Sequence, residues 1–568
     1  MARSSRGAAG LVLVTLATAQ FLMTLDSSVM NVSIAQVAAD VGTTVTGIQT
    51  AITLYTLVMA TMMITGGKIG SLIGRRRAFA IGCVIYACGS FVTSIAQTLP
   101  VLILGWSLLE GLGAALIMPA IVALVASNFA TPDRPRAYGL VASAGAIAVA
   151  AGPLIGGFVT TYWTWRYVFA AEVVLVLGIL ALTRRIADAE PEERFRLDLV
   201  GSALSAAGLG LAVYGVLRSG EWGWVLTRPG GPSWLGLSPT VWLVLAGMLV
   251  LRVFVAWEHH VTAAGREPLL RLDLLRNARL VGGLTMFFFQ FMIQAGLFFV
   301  VPLFLSIALG LTALQTGVRL LPLSVSLLIA AVGIPRFFPR ASPREVVRWG
   351  VGGMLLGIVV LMAALEVGAG AEIVAVPLLL AGFGVGALAS QLGAVTVSAV
   401  PDEQTGDVGG VQNTMTNLGA SLGTAVAGSI LVATLTSTLL VGLADNPQVS
   451  AEVSQTAEVQ LAGGVPFVSD AQLGTALADA GLPADEVAAI VDENESARID
   501  ALRASLAALA IVAALALFFS RLIPTAPVGS EPVAAEPSPG GAAPLPVQPV
   551  EPEHLVVDGQ HLEPGEAR

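Results

Sequence analysis

The strongest constraint on this chain is a series of fourteen apolar runs, each long enough to cross a bilayer as a helix. They fall at about 11–37, 47–70, 78–97, 101–127, 137–161, 165–183, 198–217, 239–257, 279–308, 313–335, 346–367, 372–399, 407–437 and 499–520. They are numbered here as spans 1 to 14. A spanning helix needs roughly 20 mainly apolar residues. Of the 568 residues 55% are hydrophobic and only 12% charged, about half the charge of a soluble domain. The fold class implied is an all-α polytopic membrane protein.

The basic residues test the count. With the N-terminus in the cytoplasm, alternate loops take Arg75, Arg76 and Arg77, then Arg134 and Arg136, then Arg184, Arg185, Arg194 and Arg196. The same side continues with Arg266, Arg271 and Arg276, and with Arg336, Arg340 and Arg344. The other side takes only Arg218, Arg228, Arg498 and Arg503. One missed span would scramble this alternation, so positive-inside logic favours fourteen spans with both termini cytoplasmic.

Several classes are excluded. The arginines are scattered between spans with no aromatic-interleaved basic face, so no nucleic-acid partner is expected. No Gly-x-x-x-x-Gly-Lys-Ser/Thr loop occurs, so ATP is not the driver. Cys83 and Cys88 share span 3 on different faces, which suits neither a bridge nor a metal. Residues 1–20 imitate a signal peptide, with Arg3 and Arg6 before an apolar run and Ala17-Thr18-Ala19 as a false cleavage site. The run continues to about Val37, so a retained first span is expected. Nothing reads as an enzyme, and neither a metal nor a cofactor is implied.

The expected organisation is a cytoplasmic N-terminus (1–10), a six-helix bundle (11–183) and a linker with two extra helices (184–277). A second six-helix bundle follows (278–521). It includes an acidic external loop at 437–498 with short helical patterns at Asp470–Ala480 and Ala484–Asn494. The tail, 522–568, is rich in Pro, Gly and Glu, and is expected to be disordered and cytoplasmic. The halves echo one another. Tight basic loops follow spans 2 and 10, and spans 5 and 13 are both Gly-rich, an offset of eight spans in each case. Two six-helix halves that rock about a midplane site form a transporter architecture.

Four segments carry chemistry. Span 5 holds Gly145 and then Gly152-Pro153-Leu154-Ile155-Gly156-Gly157. Glycines let helix backbones approach, and Pro153 bends the span. Span 1 holds Leu25-Asp26-Ser27-Ser28-Val29-Met30-Asn31. A carboxyl at that depth is costly unless neutral, paired or facing water, and burial favours its proton-carrying form. The loop after span 2 holds Gly67, Gly70, Gly74, Arg75 and Arg76. Span 4 holds Ser107-Leu108-Leu109-Glu110-Gly111, with Trp106, Ser107 and Glu110 on one face. Helix rise places Glu110 ~13 Å and Asp26 ~8 Å below the outer surface. Depths that close allow the two acids to face one cavity and titrate as a unit.

Over about residues 11–521 these motifs resemble the major facilitator superfamily and, within it, the fourteen-span drug:proton antiporters. The span-5 segment is similar to that superfamily's antiporter signature, and the loop after span 2 is similar to its gating loop. Two departures stand out. Ser71 and Leu72 stand where the gating loop usually has an acid and a base. Ser107 and Glu110 stand where span 4 usually has Arg and Gln, so the intramembrane Arg tied to proton transfer is absent.

The resemblance implies a monomeric, proton-gradient-driven exporter of small amphipathic compounds in the cytoplasmic membrane, working by alternating access. Asp26 and Glu110 are expected to couple protons. Gln20, Asn31, Trp106, Gln290, Gln294, Gln391, Asn413 and Asn417 are expected to line the substrate cavity. An importing symporter or uniporter, and a non-transport sensor or scaffold that uses the external loop, remain open alternatives.

Overall fold

The computed structural model describes residues 2–129, 134–186, 197–228, 231–338, 340–400, 405–461, 465 and 467–525. The tail from 526 onward, residues 187–196 and the side chains of Arg3, Arg6, Arg134 and Arg136 lie outside what is described. Among the described residues the chain is helical, with one isolated bridge between Trp234 and Leu237 as its only β feature.

Thirteen helices are long and apolar enough to cross a membrane, and a bent pair in span 5 makes the fourteenth. The first half comprises Ala2–Val32, Val45–Ile73, Arg75–Ser94, Leu99–Asn128 in three joined pieces, Arg134–Tyr162 and Arg166–Thr183. The extra pair is Leu199–Trp222 and Pro239–Ala263. The second half comprises Ala278–Ala308 in two pieces, Ala313–Phe337, Pro343–Ala364, Ala371–Val397 in two pieces, Thr405–Asp445 and Ala484–Phe519.

Many starts are written in the sequence as caps. Thr44, Asp198 and Ser238 accept backbone N–H bonds from the first turns of spans 2, 7 and 8. Asn277 caps span 9, and Thr312 with Gln315 forms a capping box on span 10. Each such cap supplies a partner for N–H groups that the helix cannot satisfy itself. Spans 2 and 3 are separated by Gly74 alone, at φ +99°, a conformation that costs a side-chain-bearing residue dearly.

One boundary differs from expectation. The helical pattern at 484–494 is not a free element of the 437–498 loop. It is the first third of span 14, which runs unbroken from Ala484 to Phe519. Glu495-Ser496-Ala497-Arg498 offers no Gly or Pro to stop it. Span 13 likewise extends to Asp445. The intervening segment folds onto these extensions. Arg498 is 1% exposed and donates to both Asp470 carboxyl oxygens at 2.5 and 2.6 Å and to the Val468 carbonyl at 2.7 Å.

Packing repeats with the eight-span offset. Spans 1 and 5 pack together, as do 9 and 13; spans 2 and 4 match 10 and 12; spans 3 and 6 match 11 and 14. The halves meet through two contacts that exchange under the same offset, span 2 against span 13 and span 10 against span 5. Span 7 leans on both 2 and 13. Three hydrogen bonds across the halves lie toward the face opposite the Arg75–Arg77 turn. Gln49 donates to Thr424 O at 3.0 Å, Ser421 to Thr53 O at 3.0 Å, and Leu314 N–H to Thr161 Oγ1 at 2.9 Å.

At the span 5–span 10 crossing a Cβ on Gly317 would overlap the Pro153 carbonyl oxygen. Gly317→Ala is therefore expected to push the spans apart and cost about 1–3 kcal/mol, read as a lower melting temperature in detergent. Gly352→Ala, which meets nothing within 4 Å, is the matched control. Equal melting of the two variants would refute the close crossing.

Candidate functional site

Three carboxyls converge inside the first half. Asp26 of span 1, Glu110 of span 4 and Glu172 of span 6 each place an oxygen within 4.8 Å of the other two. Their exposures are 0%, 0% and 1%. No described ion pair reaches any of them. Trp106 donates its indole N–H to both Asp26 oxygens, at 2.9 and 3.0 Å. Tyr55 of span 2 stacks on that indole, with centroids 5.0 Å apart and planes 9° apart. The Tyr55 hydroxyl is buried without a hydrogen-bond partner among the described residues. Glu110 Oε1 accepts from Thr93 at 3.0 Å. Glu172 Oε2 accepts from Tyr86 at 3.3 Å and Ser90 at 3.2 Å. Glu110 Oε2 and Glu172 Oε1 have no partner among the described residues.

The local backbone explains how Glu110 gets there. Ile103–Glu110 is π-helical, a wider turn that rotates the following residues and recurs at functional sites. Ser107, which stands where the family's Arg is expected, instead donates to the Ala51 carbonyl at 2.8 Å. The donor to Asp26 is thus a neutral indole from the preceding position. Gly89 makes room, since a Cβ there would lie 2.6 Å from Glu110 Cγ.

At 4.8 Å, two full negative charges repel by about 3 kcal/mol even at an effective dielectric of about 20. Among the described residues no ion pair offsets such charges, so ionising all three carboxyls together carries a large cost. By ligand type the same three carboxyls could also hold a hard cation, whose shell waters would complete. Glu172 is absent from the sequence reading. The signal for it is its position as the one acid in an otherwise apolar Phe169–Thr183 run, which by itself marks a functional candidate.

The span-5 glycines pack on the helix that carries Asp26. A Cβ on Gly145 would touch Gln20 and Thr24, on Gly152 it would strike Ser28, and on Gly156 it would lie 2.9 Å from Val29 Cα. Gly157 turns the other way, where a Cβ would lie 2.5 Å from the Ala313 carbonyl of span 10. Span 5 bends by 42° between Val149 and Ala151. Pro153 has no N–H for the Val149 carbonyl, which accounts for the bend.

Gly67, Lys68 and Gly70, expected in the loop after span 2, lie instead in the last helical turns of span 2, with Gly67 against Pro119 and Gly70 against Ala78. Arg75 is half-buried, and Arg76 donates to the Ile186 carbonyl at 3.2 Å. Lys68 reaches from that end of span 2 to Glu267, beyond span 8, at 2.9 Å.

The expected cavity residues do not gather in one place. Trp106 belongs to the acid cluster. Asn31 bonds back to the Ser27 carbonyl, Gln20 to Thr24, and Gln391 to Ser390. Asn417 donates to the Asn413 carbonyl at 2.9 Å and meets Met63 of span 2 at 3.9 Å, so it lies at the seam between halves. Gln290 is 4% exposed, and the Oε1 atoms of Gln290 and Gln294 are unpartnered among the described residues.

Comparison with known proteins decides the family. The sequence profile of the Major Facilitator Superfamily matches residues 16–424. The chain belongs to the Major Facilitator Superfamily. It is a multi-pass protein of the cell membrane. Among superfamily relatives, a probable actinorhodin transporter of Streptomyces coelicolor is 29% identical over 72% of this chain and 70% of its own. The tetracenomycin C resistance and export protein of Streptomyces glaucescens is 28% identical over 75% of this chain and 76% of its own. The multidrug resistance protein Stp of Mycobacterium tuberculosis is 26% identical over 76% and 77%. In structure, a bacterial homologue of the lysosomal transporter Spinster, solved inward-facing and unoccupied, matches with TM-score 0.54 and 14% identity. It covers 91% of this chain and 98% of its own. A POT family peptide transporter matches with TM-score 0.55 and 12% identity over 90% and 98%. These solved structures show the superfamily fold.

Trp106→Phe keeps the ring on Tyr55 and removes the indole N–H that donates to Asp26. Leaving a buried acceptor without its donor costs about 1–3 kcal/mol. The melting temperature in detergent should fall accordingly, and an unchanged value would show that the indole does not hold the carboxyl.

Proposed function

We propose that this superfamily member exports small amphipathic compounds in exchange for protons, by alternating access of its two halves. The observation that carries the reading is the sealed carboxyl cluster of spans 1, 4 and 6, whose Asp26 belongs to the helix that the span-5 glycines pack against. Such carboxyls are expensive in a passive scaffold. The printed names of the relatives, which concern antibiotic transport, export and resistance, support outward transport of small organic compounds. Their direction counts against the importing alternative.

The Arg-rich turns are assigned to the cytoplasm, with both termini there. The three bonds from Gln49, Ser421 and Leu314 then lie on the outer side, which supports reading this state as closed outward. In the cycle, Asp26, Glu110 or both carry a proton through the outward-to-inward return. A compound entering from the cytoplasm or inner leaflet favours proton release, and the loaded pump reopens outward. Span 5 is the mechanical link. Its Gly145, Gly152 and Gly156 face grips span 1, while Gly157 grips span 10, so a change at its bend moves both. Asn417 lies at the seam, where a substrate would part it from Met63; Asn413 shares span 13 with it, and Gln290 and Gln294 lie on span 9. Glu267 from the linker takes the place of the missing acid of the gating loop by holding Lys68.

The test uses everted membrane vesicles with ethidium as the probe and an imposed pH gradient. Asp26→Asn combined with Glu110→Gln should reduce gradient-driven ethidium movement at least about tenfold, the scale on which general acid–base groups act. Undiminished movement in the double variant would overturn the proton-coupling assignment. Movement that runs with the proton instead of against it would favour the symporter.

A further inference from the structure

Glu172 has no part in the coupling scheme above, yet its placement matches that of the two acids that do. It reaches the cluster from span 6, sits 1% exposed and brings an oxygen within 4.8 Å of both Asp26 and Glu110. Two hydroxyls of span 3, Tyr86 and Ser90, aim it by binding one oxygen, at 3.3 and 3.2 Å. Its other oxygen is unpartnered among the described residues, as are Glu110 Oε2 and the hydroxyl of Tyr55. Tyr55 is 1% exposed and comes from a different helix, span 2. One buried hydroxyl and two buried carboxyl oxygens, from spans 2, 4 and 6, thus lack hydrogen-bond partners among the described residues. Neighbours from every packed element are polar but uncharged: Tyr55 and Trp106, Tyr86 and Ser90, and Thr93.

We propose that Glu172 is a third proton-binding carboxyl, and that Asp26, Glu110 and Glu172 titrate as one unit that holds more than one proton when the pump is closed outward. The proposal rests on the proton-coupled reading above and deepens it. Spans 3 and 6 pack on each other and on spans 1, 2, 4 and 5 of the first half. Glu172 therefore stays with its half while the seam opens, and Asp26 is the member on the helix that span 5 moves. Displacement of span 1 would separate Asp26 from the other two and change the number of protons the trio retains.

The experiment is an infrared pH titration of the full chain in D₂O, following the C=O stretch of protonated carboxyls. It needs no transport substrate. Wild type should show a band that titrates in more than one step. Glu172→Gln should remove about a third of its amplitude and also shift the midpoint of what remains, because interacting sites share their titration steps. Asp26→Asn should shift the Glu172 contribution reciprocally, and Glu172→Asp should restore the coupled pattern. If Glu172→Gln folds, as judged by gel filtration, yet leaves the amplitude and the remaining midpoint unmoved, the proposal is overturned. The two readings fail separately. Proton-driven ethidium movement with an unmoved titration sinks only the role of Glu172. A coupled titration with no proton-driven movement sinks only the export reading.

Discussion

The structure depends on the cost of charge in a medium without water. Hydrocarbon tolerates a carboxyl only when it is protonated, hydrogen-bonded or paired. This chain removes the obvious partner, since Ser107 and Glu110 replace the basic and amide positions of span 4. The site then relies on neutral donors. The Trp106 indole binds Asp26, Thr93 binds Glu110, and Tyr86 with Ser90 binds Glu172. Neutral donors orient a carboxyl without fixing its charge. In the proposed cycle that leaves the protonation state free to follow the conformation of the bundle, which a permanent guanidinium at the same place would oppose.

In the proposed cycle, movement is carried by the glycine-lined helix. Close backbone approach between spans 1 and 5 and between spans 5 and 10 replaces side-chain interdigitation with van der Waals contact along smooth surfaces. Such surfaces slide or rock without repacking large side chains. The bend before Pro153 falls between the part of span 5 that meets Gln20 and the part that meets Val29 and span 10. The acid-bearing helix and the opposite half are thus joined through one helix. The extra pair, spans 7 and 8, braces the other crossing, where span 7 touches spans 2 and 13.

Much of this was legible beforehand. Apolar length marked every span, because the bilayer imposes one thickness on all of them. The eight-span offset in loops and glycines foretold the paired packing of the halves. Asp26 and Glu110 were legible as isolated acids in apolar runs. Glu172 carried the same signal and was passed over, since no family motif surrounds it. The span-14 extension was misjudged because a polar helix leaving the membrane reads like a separate loop helix. The amides were ranked by polarity alone, and several turned out to bond along their own helices.

The sequence by itself determined the membrane class, the fourteen crossings and the presence of acids that hydrocarbon will not accept as bare charges. Those properties follow from composition and period along single helices. Only the tertiary structure decided that three acids from spans 1, 4 and 6 meet, that Trp106 supplies the donor to Asp26, and that the motif glycines grip the same helix. Helical periodicity fixes which residues share a face of one span. Which faces of distant spans come together is set by packing across the whole bundle, and here also by a π-turn that shifts the face of span 4 and that no spacing in the sequence reveals.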